Sequence, residues 1–353
     1  MKKILPHLAL ALVILLWSNS FVAIKYVLRF LDPLELTVVR HGLALVPLGI
    51  TLLLAGRRDM RRMTARDWVL VVLLGVLAVP GYSLCLNYSE TKIGAGLASM
   101  IVALSSTFTY IFGILLKWEK WSVVRILGVP VALAGIGISV FGSLGESTTR
   151  IPEARPASGE ARSSGARDAA AVVPALDPPS HAESAEGVGS DGLDDPAGAR
   201  YPAERWGVLV GCLLMLGAAL IWAIYNVLGR SLLSRFSPLS MSCLNTAVGT
   251  LPMLLFVGRG TVDKVVRFAP SAWAALAFLT LACTYLAVIL YFYGLRELGA
   301  ARTSVSVYFL PPVGVLSGNI ILGEPVSACV IVGLLVLVVG VYLTARPDPA
   351  KSS

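Results

Sequence analysis

The sequence predicts an all-α polytopic membrane protein, in which about ten transmembrane helices form two inverted repeats of five helices. Three observations predict this fold class. The chain of 353 residues is 56% hydrophobic and only 14% charged, with a mean hydropathy of +0.78, whereas soluble domains carry about 25% charged residues. Its apolar residues fall into about ten runs of roughly 20 residues, the length that crosses a bilayer. A shift of 205 residues superimposes one half of the chain on the other.

Short polar turns interrupt the apolar runs and set the predicted helix ends. We place the ten spans at 6–28, 34–54, 68–88, 94–116, 122–142, 206–228, 239–258, 272–293, 300–321 and 326–345. The basic start, Met1-Lys2-Lys3, would fit a signal peptide, but the apolar run after it is long and is followed by no small-residue cleavage site. We interpret that run as the first span. The five cysteines lie singly inside apolar runs, which is typical of small buried residues.

The internal repeat rests on residue types that chance does not align between two apolar halves. The shift of 205 residues pairs Trp17 with Trp222, Pro33 with Pro238, Trp68 with Trp273, Gly94 with Gly299, Glu119 with Glu324 and Gly135 with Gly340. Five spans is an odd number, so the second half enters the membrane in the opposite sense to the first. The Lys and Arg residues, above all the "RRDMRR" cluster, satisfy the positive-inside rule in both halves if the N-terminus is cytoplasmic.

The repeats divide the chain into four parts. Residues 1–142 form the first repeat, 206–346 the second, and 347–353 a cytoplasmic tail. Between the repeats, 143–205 holds 11 of the 21 carboxylates but only 6 of the 29 Lys and Arg residues, with many Ala, Ser, Gly and Pro. Such a composition cannot bury enough apolar surface to offset the entropy lost on ordering. We predict a disordered extracytoplasmic linker, with a regulatory or partner-binding segment as the alternative.

Several stretches resemble a known family. The start "WSNSF", the stretches "LDPLELTVVR" and "NYSETKIGAGLAS", and "YFLPPVGVLSGNIILGEP" are similar to the EamA-type transporters of the drug/metabolite transporter superfamily. The resemblance implies a carrier of small metabolites or drugs that works by alternating access between inverted repeats. Two features depart from the family pattern. Ser106-Thr107 stands in the fourth span where the ninth has Pro311-Pro312, and the central connector is unusually long.

Polar and aromatic residues at predicted mid-membrane depth are the candidate substrate cavity. Asn19 is costly in hydrocarbon unless it is paired, so it either joins packed helices or lines a cavity. Pro311 and Pro312 fall in the middle of the predicted ninth span, where they would free backbone carbonyls. The candidates are Trp17, Asn19, Tyr82, Tyr88, Ser105, Ser106, Thr107, Trp222, Tyr225, Asn226, Tyr285, Tyr293, Tyr308, Pro311 and Pro312.

The charged residues lie near the ends of the spans. Five glutamates, Glu35, Glu90, Glu119, Glu297 and Glu324, occupy span ends, which argues against a proton relay built on a central acid. We interpret Glu119 and Glu324 as acids at the start of their own helices. Arg40 lies about a turn and a half into the second span. It either extends outward to the interface, or pairs with Glu35 or with a substrate carboxylate.

The function that fits these observations is export of a small amino-acid-like or drug-like metabolite across the cytoplasmic membrane, with both termini cytoplasmic. The alternatives are a channel-like facilitator and, less favoured, an integral membrane enzyme. The chain has no Walker loop, GxSxG or HExxH motif, and its three histidines lack ligand spacing. We therefore expect no enzymatic activity, no cofactor, no metal site and no nucleic-acid partner. The expected partners are a small-molecule substrate and the lipid bilayer; the coupling ion is unassigned.

Overall fold

The computed structural model describes residues 4–118, 122–149 and 197–345. Every regular element in these ranges is helical, and none is a strand. Eight helical segments are long and apolar enough to cross a membrane, and two shorter apolar helices complete the set. The predicted fold class, an all-α polytopic membrane protein with about ten transmembrane helices, is confirmed.

The first repeat contains spans 1 to 5. Short pieces join spans 2 and 3, namely the π-helix Leu52–Gly56 and the helix Arg57–Arg62. The spans themselves are Leu5–Val27 (span 1), Pro33–Thr51 (span 2), Ala65–Val76 with Leu77–Ser83 and Leu84–Glu90 (span 3), Ala95–Val102 with Leu104–Leu115 (span 4), and Val123–Thr149 (span 5).

The second repeat contains spans 6 to 10. The 3-10 helix Leu251–Phe256 and the short helix Arg259–Val266 join spans 7 and 8, and the 3-10 turn Val307–Phe309 joins spans 8 and 9. The spans are Ala197–Leu233 (span 6), Pro238–Thr250 (span 7), Pro270–Ala277 with Phe278–Leu286 and Ala287–Ser306 (span 8), Leu310–Leu322 (span 9), and Ala328–Ala345 (span 10).

Spans 5 and 6 both extend past the predicted repeat boundaries. Span 5 continues to Thr149 and span 6 already begins at Ala197. The stretch "GSLGEST" contains no proline, and nothing in it stops a helix where the apolar run ends. Residues 150–196 and 346–353 lie outside the described ranges, so the disorder of the linker and the cytoplasmic placement of the tail stay predictions.

The junction of spans 8 and 9 departs from the repeat. The match between Gly94 and Gly299 predicts a turn at residue 299, but the helix Ala287–Ser306 runs through it. The break comes instead at Val307–Phe309, because Pro311 and Pro312 have no N–H to donate to the carbonyls of residues 307 and 308, and their rings would clash with those carbonyls in a continuous helix. Pro311 then occupies the first turn of span 9, where its missing N–H removes no helical hydrogen bond. The expectation that this proline lies in the middle of the ninth span is wrong.

Polar capping boxes define two of the turns in the first repeat. Span 2 begins after Asp32, whose side chain accepts a hydrogen bond from the Glu35 amide while the Glu35 carboxylate accepts one from the Asp32 amide. Span 3 begins after Thr64, which makes the same reciprocal pair with Asp67. Each box satisfies amides that a helix start leaves without partners. The chain can therefore reverse within a few residues.

The two repeats interlock instead of standing side by side. Span 1 packs against spans 8 and 9, and its repeat mate, span 6, packs against spans 3 and 4. Spans 2 and 7 contact each other, span 2 also packs against span 8, and span 7 packs against span 3. Spans 4 and 9 pack together, as do spans 5 and 10. Every span therefore contacts the other repeat, and the central interface is built from both halves.

Spans 5 and 10 pack through small residues. A Cβ atom added at Gly128 would lie 2.7 Å from the amide nitrogen of Thr344, and one at Gly135 would lie 2.6 Å from the Gly333 carbonyl oxygen. Both distances are shorter than real Cβ contacts. Gly128 and Gly333 are repeat mates, so the same small residue serves both helices of the pair. Small residues let membrane helices gain van der Waals contact along their backbones.

Spans 3 and 8 each contain a π-helix at nearly the same place in the repeat. The segments are Leu77–Ser83 and Phe278–Leu286, and a shift of 205 residues makes them overlap. In each segment a hydroxyl donates to a carbonyl five residues earlier, Ser83 to Ala78 and Thr284 to Leu279. π-Helical turns displace side chains from the α-helical register and occur frequently at functional sites. The side chains on these two segments are therefore the first place to look for a substrate path.

Candidate functional site

Three of the predicted cavity residues form one aromatic cluster between spans 3 and 6. The ring centroids of Tyr82 and Trp222 are 5.0 Å apart, and those of Trp222 and Tyr225 are 5.1 Å apart with an interplanar angle of 18°. The Asn245 side chain on span 7 donates to the Tyr225 hydroxyl at 3.2 Å. Tyr82 belongs to the π-helix of span 3. Stacked and tilted aromatic pairs at such distances provide rigid apolar walls.

Trp17 forms the corresponding cluster in the other half. Its indole N–H donates to the Cys283 carbonyl at 3.2 Å, and its ring centroid lies 5.3 Å from that of Tyr291. Cys283 belongs to the π-helix of span 8. The repeat mates Trp17 and Trp222 therefore each pack on the π-helical span of the opposite repeat. The repeat relation in the sequence therefore appears in the structure as two aromatic clusters, each built from both repeats.

Arg40 lies between these clusters. Its Nε atom donates to the Thr284 hydroxyl at 2.9 Å, and Tyr82 and Cys283 are among its electrostatic neighbours. One neighbour therefore comes from each cluster. We name the set of Trp17, Tyr82, Trp222, Tyr225 and Arg40 the aromatic–arginine band. A guanidinium there is the group best suited to orient an anionic part of a ligand.

Arg40 does not pair with Glu35, which was one of the three predicted alternatives. Glu35 instead accepts two hydrogen bonds from the Lys264 ammonium, both at 2.8 Å, and one from the Thr261 hydroxyl at 2.9 Å. The bond to Glu35 raises the pKa of Lys264, which lies on the short helix between spans 7 and 8. The start of span 2 is thereby tied to the other repeat, and the Arg40 guanidinium is left inside, against span 8.

Tyr285 lies apart from the band. Its hydroxyl is 2.9 Å from the Thr51 hydroxyl, and Thr51 itself donates to the Pro47 carbonyl. Both contacts are near the end of span 2, more than two helical turns beyond Arg40. Tyr285 therefore extends the polar surface of span 8 towards the "RRDMRR" end of the molecule.

The other predicted cavity residues have no hydrogen bond or ring contact to the band in the described part of the chain. Asn19 donates to the Leu15 carbonyl of its own helix at 2.8 Å, and Asn226 is exposed. Tyr88 is 44% exposed, while Ser105, Thr107, Tyr308 and Pro311 are buried among helices. Ser106, Tyr293 and Pro312 are partly buried. Their place in a cavity stays a prediction.

A second set of polar residues lies at the end of the molecule where the described parts of spans 5 and 6 approach the linker. A cleft on this end is lined by Lys92, Ser143, Val208 and Glu324, among others. We name this end the linker side. The opposite end, the arginine side, carries an ion pair between Asp67 and Arg235 and a hydrogen bond from the Ser237 amide to Asp59 at 3.0 Å. Each end thus has its own polar contacts between the two repeats.

Glu324 is the centre of the linker-side contacts. Its two carboxylate oxygens accept hydrogen bonds from the amides of Ala95 and Gly96, at 2.7 and 3.0 Å. The Lys25 ammonium lies 3.7 Å from the same carboxylate and donates to the Ile93 carbonyl at 2.6 Å. We name this contact the Glu324 clamp. The prediction that Glu324 stabilises the start of its own helix is wrong: it caps span 4, because folding brings the two repeats together here. Its repeat mate, Glu119, lies outside the described residues.

Comparison with known proteins agrees with the repeat and with the helical architecture. The model of the EamA-like transporter family matches residues 4–141 and again residues 209–346. The chain belongs to the EamA-like transporter family. The two matched ranges coincide with the two predicted repeats, so the resemblance seen in the sequence motifs is confirmed. This EamA-like protein is thus a multi-pass membrane protein with two helical repeats.

Sequence similarity to known proteins extends over almost the whole chain. An uncharacterized transporter of Archaeoglobus fulgidus is 23% identical over 98% of this chain and 99% of its own length. A probable terminal-alkyne amino-acid exporter of Streptantibioticus cattleyicolor is 24% identical over 96% of this chain and 92% of its own. A solved crystal structure with 18% identity has a TM-score of 0.56 and covers 96% of this chain and 95% of that chain, which shows a shared fold.

The sequence correctly predicts that Glu90 lies at the end of a span in this EamA-like transporter, but it does not predict that the side chain is buried. It ends the helix Leu84–Glu90, as predicted, yet it is only 1% exposed. Neither of its carboxylate oxygens has a hydrogen-bond partner in the part of the chain that the structure describes. Its charged neighbours are Lys25, Glu324 and Arg40. A side chain at a span end commonly reaches water, but spans 1, 2, 4 and 6 pack around this helix and bury Glu90.

Proposed function

We propose that this protein exports a small amino-acid-like metabolite across the cytoplasmic membrane by alternating access. The observation that carries the proposal is the aromatic–arginine band, in which Arg40 lies between clusters contributed by both repeats. A substrate carboxylate would accept hydrogen bonds from the guanidinium. The two tryptophan-containing clusters would contact the apolar remainder of the substrate. The printed name of the Streptantibioticus cattleyicolor relative, an amino-acid exporter, agrees with this substrate class.

The band lies where an alternating-access site is expected. In inverted-repeat transporters the substrate binds at the interface of the repeats, and the repeats rock around it. Here the residues of the band come from spans 1, 2, 3 and 6, and their partners from spans 7 and 8. A relative movement of the two repeats would therefore alter the contacts of Arg40 with Thr284 first. The substrate site would open alternately to the linker side and to the arginine side.

The orientation follows from the distribution of basic residues. The "RRDMRR" cluster lies on the arginine side, and positive clusters in short loops stay cytoplasmic. The linker side is then extracytoplasmic, and both termini are cytoplasmic. A carrier is favoured over a channel, because the band consists of stacked aromatic side chains and one arginine instead of a charged or carbonyl-lined filter.

A counterflow experiment in proteoliposomes tests the proposal. Vesicles containing the purified protein are preloaded with individual unlabelled amino acids, and uptake of the same labelled amino acid is followed. We expect saturable exchange for at least one amino acid, and we expect Arg40→Gln to raise its KM by an order of magnitude or more, since a charged hydrogen bond is lost. Arg29→Gln is the matched control, because Arg29 is exposed beside Tyr26. Ohmic current without counterflow would instead indicate a channel.

A result with equal KM for the Arg40→Gln variant and the wild type would remove Arg40 from the substrate site. A thermal-shift screen against amino acids, nucleosides, sugars and cationic drugs identifies the substrate class independently, since a ligand that binds the folded state raises the melting temperature.

A further inference from the structure

Glu90 lies on the linker side with Lys25, Arg40 and Glu324 as charged neighbours, and we name these four residues the linker-side cluster. Its carboxyl group has no hydrogen bond among the described residues. Both of its oxygens are buried, and no donor among the described residues reaches them. The neighbouring carboxylate, Glu324, is in the opposite condition, since both of its oxygens bind amides of span 4. The two acidic side chains therefore differ in their hydrogen bonds: the Glu324 carboxylate accepts one at each oxygen, and the Glu90 carboxyl group accepts none among the described residues.

The charged groups around Glu90 come from three different parts of the chain. Span 1 contributes Lys25, span 2 contributes Arg40, and the turn after span 9 contributes Glu324. Tyr82, on the preceding π-helix, also interacts with Glu90. The facing part of span 6 carries Cys212 as its titratable group, and the first helix of span 4, Ala95–Val102, carries none. Glu90 thus lies between two cations and one anion, with an apolar wall on the remaining sides.

We propose that Glu90 is a proton-binding site that couples proton movement to the opening of the linker side. The proposal rests on the proposed transport function. A carboxyl group buried without a donor is stable when it carries a proton, because an unpaired charge there is costly. On loss of the proton, the resulting carboxylate needs a partner. The Lys25 ammonium is one of its two cationic neighbours, and it can leave its hydrogen bond to the Ile93 carbonyl to supply that partner.

The proton would act through the Glu324 clamp. With Glu90 neutral, Lys25 stays at the Ile93 carbonyl and beside Glu324, so the clamp holds span 1, span 4 and the end of span 9 together. With Glu90 ionised, Lys25 is drawn towards it and away from Glu324. The linker side then opens, water reaches the carboxylate, and the site can be reprotonated from that side.

A proton fits the site better than a metal ion or a substrate ammonium group. Metal cations need several oxygen ligands, but the Glu324 oxygens are already bound to amides, and no group of three metal-ligating side chains exists among the described residues. Lys25 and Arg40 would also repel a second cation. A substrate ammonium would need an opening to Glu90, which is 1% exposed.

Infrared spectroscopy of the purified protein tests the proton directly, without any substrate. We expect the carbonyl stretch of a protonated carboxyl group at neutral pH, with the small shift that follows transfer to D₂O, and we expect Glu90→Gln to remove it. Glu297→Gln is the matched control, because the Glu297 side chain is 40% exposed beside Arg296 and should contribute no such band. The proposal is overturned if the wild type lacks the band at neutral pH, or if Glu90→Gln retains it.

A transport measurement then tests the coupling. With a gradient of one pH unit across a proteoliposome, exchange of one proton per substrate supports about tenfold accumulation. We expect Glu90→Gln to lower the accumulation ratio to about one while substrate counterflow, which needs no net proton movement, is kept. Equal loss of counterflow and accumulation in a variant with a wild-type elution profile and melting temperature would overturn the coupling role. If no tested amino acid is transported even by the wild type, the proposed substrate class fails while the infrared result still decides whether Glu90 holds a proton.

Discussion

The Glu324 clamp provides the sharpest test of how the two repeats close the linker side. Gly94, the N-cap residue of span 4, has no side chain to cap the helix, and the Glu324 carboxylate takes that role. Glu324→Ala removes both acceptors at once and leaves the amides of Ala95 and Gly96 to water. We expect the variant to lose stability and to open the linker side more often.

The free-energy cost of Glu324→Ala follows from the contacts that the substitution removes. Loss of a side-chain cap costs about 0.5–2 kcal/mol, and loss of a negative charge at a helix N-terminus costs about 0.3–1 kcal/mol. Because the Glu324 side chain is 18% exposed, water recovers part of the interaction, and we expect a total near 2 kcal/mol. That energy corresponds to about a 30-fold shift in the equilibrium between closed and open linker sides.

Cysteine accessibility measures this equilibrium. Leu97 lines the cleft beside Glu324 and is 7% exposed, so a cysteine at this position, in a variant without native cysteines, reports opening. We expect Glu324→Ala to raise its labelling rate by up to about 30-fold and to lower the melting temperature. Glu297→Ala is the control, because the Glu297 side chain is 40% exposed and pairs with the neighbouring Arg296. Unchanged labelling together with an unchanged melting temperature would refute the clamp.

Four further predictions concern topology, the linker, the first span and the packing of spans 5 and 10. A cysteine at Ser180 should react with a membrane-impermeant maleimide added to whole cells; reaction only after lysis would reverse the orientation. Replacement of residues 150–200 by a short Gly/Ser connector should leave transport per folded molecule unchanged, because a disordered segment contributes little packing. Asn19→Leu should leave the melting temperature unchanged, since its amide bonds only within its own helix, so a changed substrate affinity would place it on the path. Gly135→Leu should destabilise the protein by about 1–3 kcal/mol through overpacking, whereas Gly137→Leu, whose added Cβ meets nothing within 4 Å, should not; equal melting temperatures for the two variants would contradict the close packing.

Much of the fold follows from the sequence because the membrane imposes strong local constraints. Backbone groups in hydrocarbon must bond within their own helix, so apolar runs of sufficient length become helices wherever they occur. The fixed offset between Trp17 and Trp222 established the repeat, and the odd number of spans established its inversion. The starts of spans 2 and 3 were predicted from the apolar runs at residues 34 and 68, and they lie at Pro33 and Ala65 because capping boxes and, for span 2, an N-terminal proline act locally.

The tertiary structure alone decided which of these residues meet. Sequence spacing could nominate Tyr82, Trp222 and Arg40 but could not place them in one band, since that depends on how spans 2, 3, 6 and 8 pack together. The same limit applies to Glu324, which caps a helix of the other repeat, and to Glu90, whose burial at a span end depends on the helices packed around it. Burial and charge pairing are properties of neighbours distant in the chain. A sequence determines its own helices through local hydrogen bonds, whereas only packing determines what surrounds each side chain.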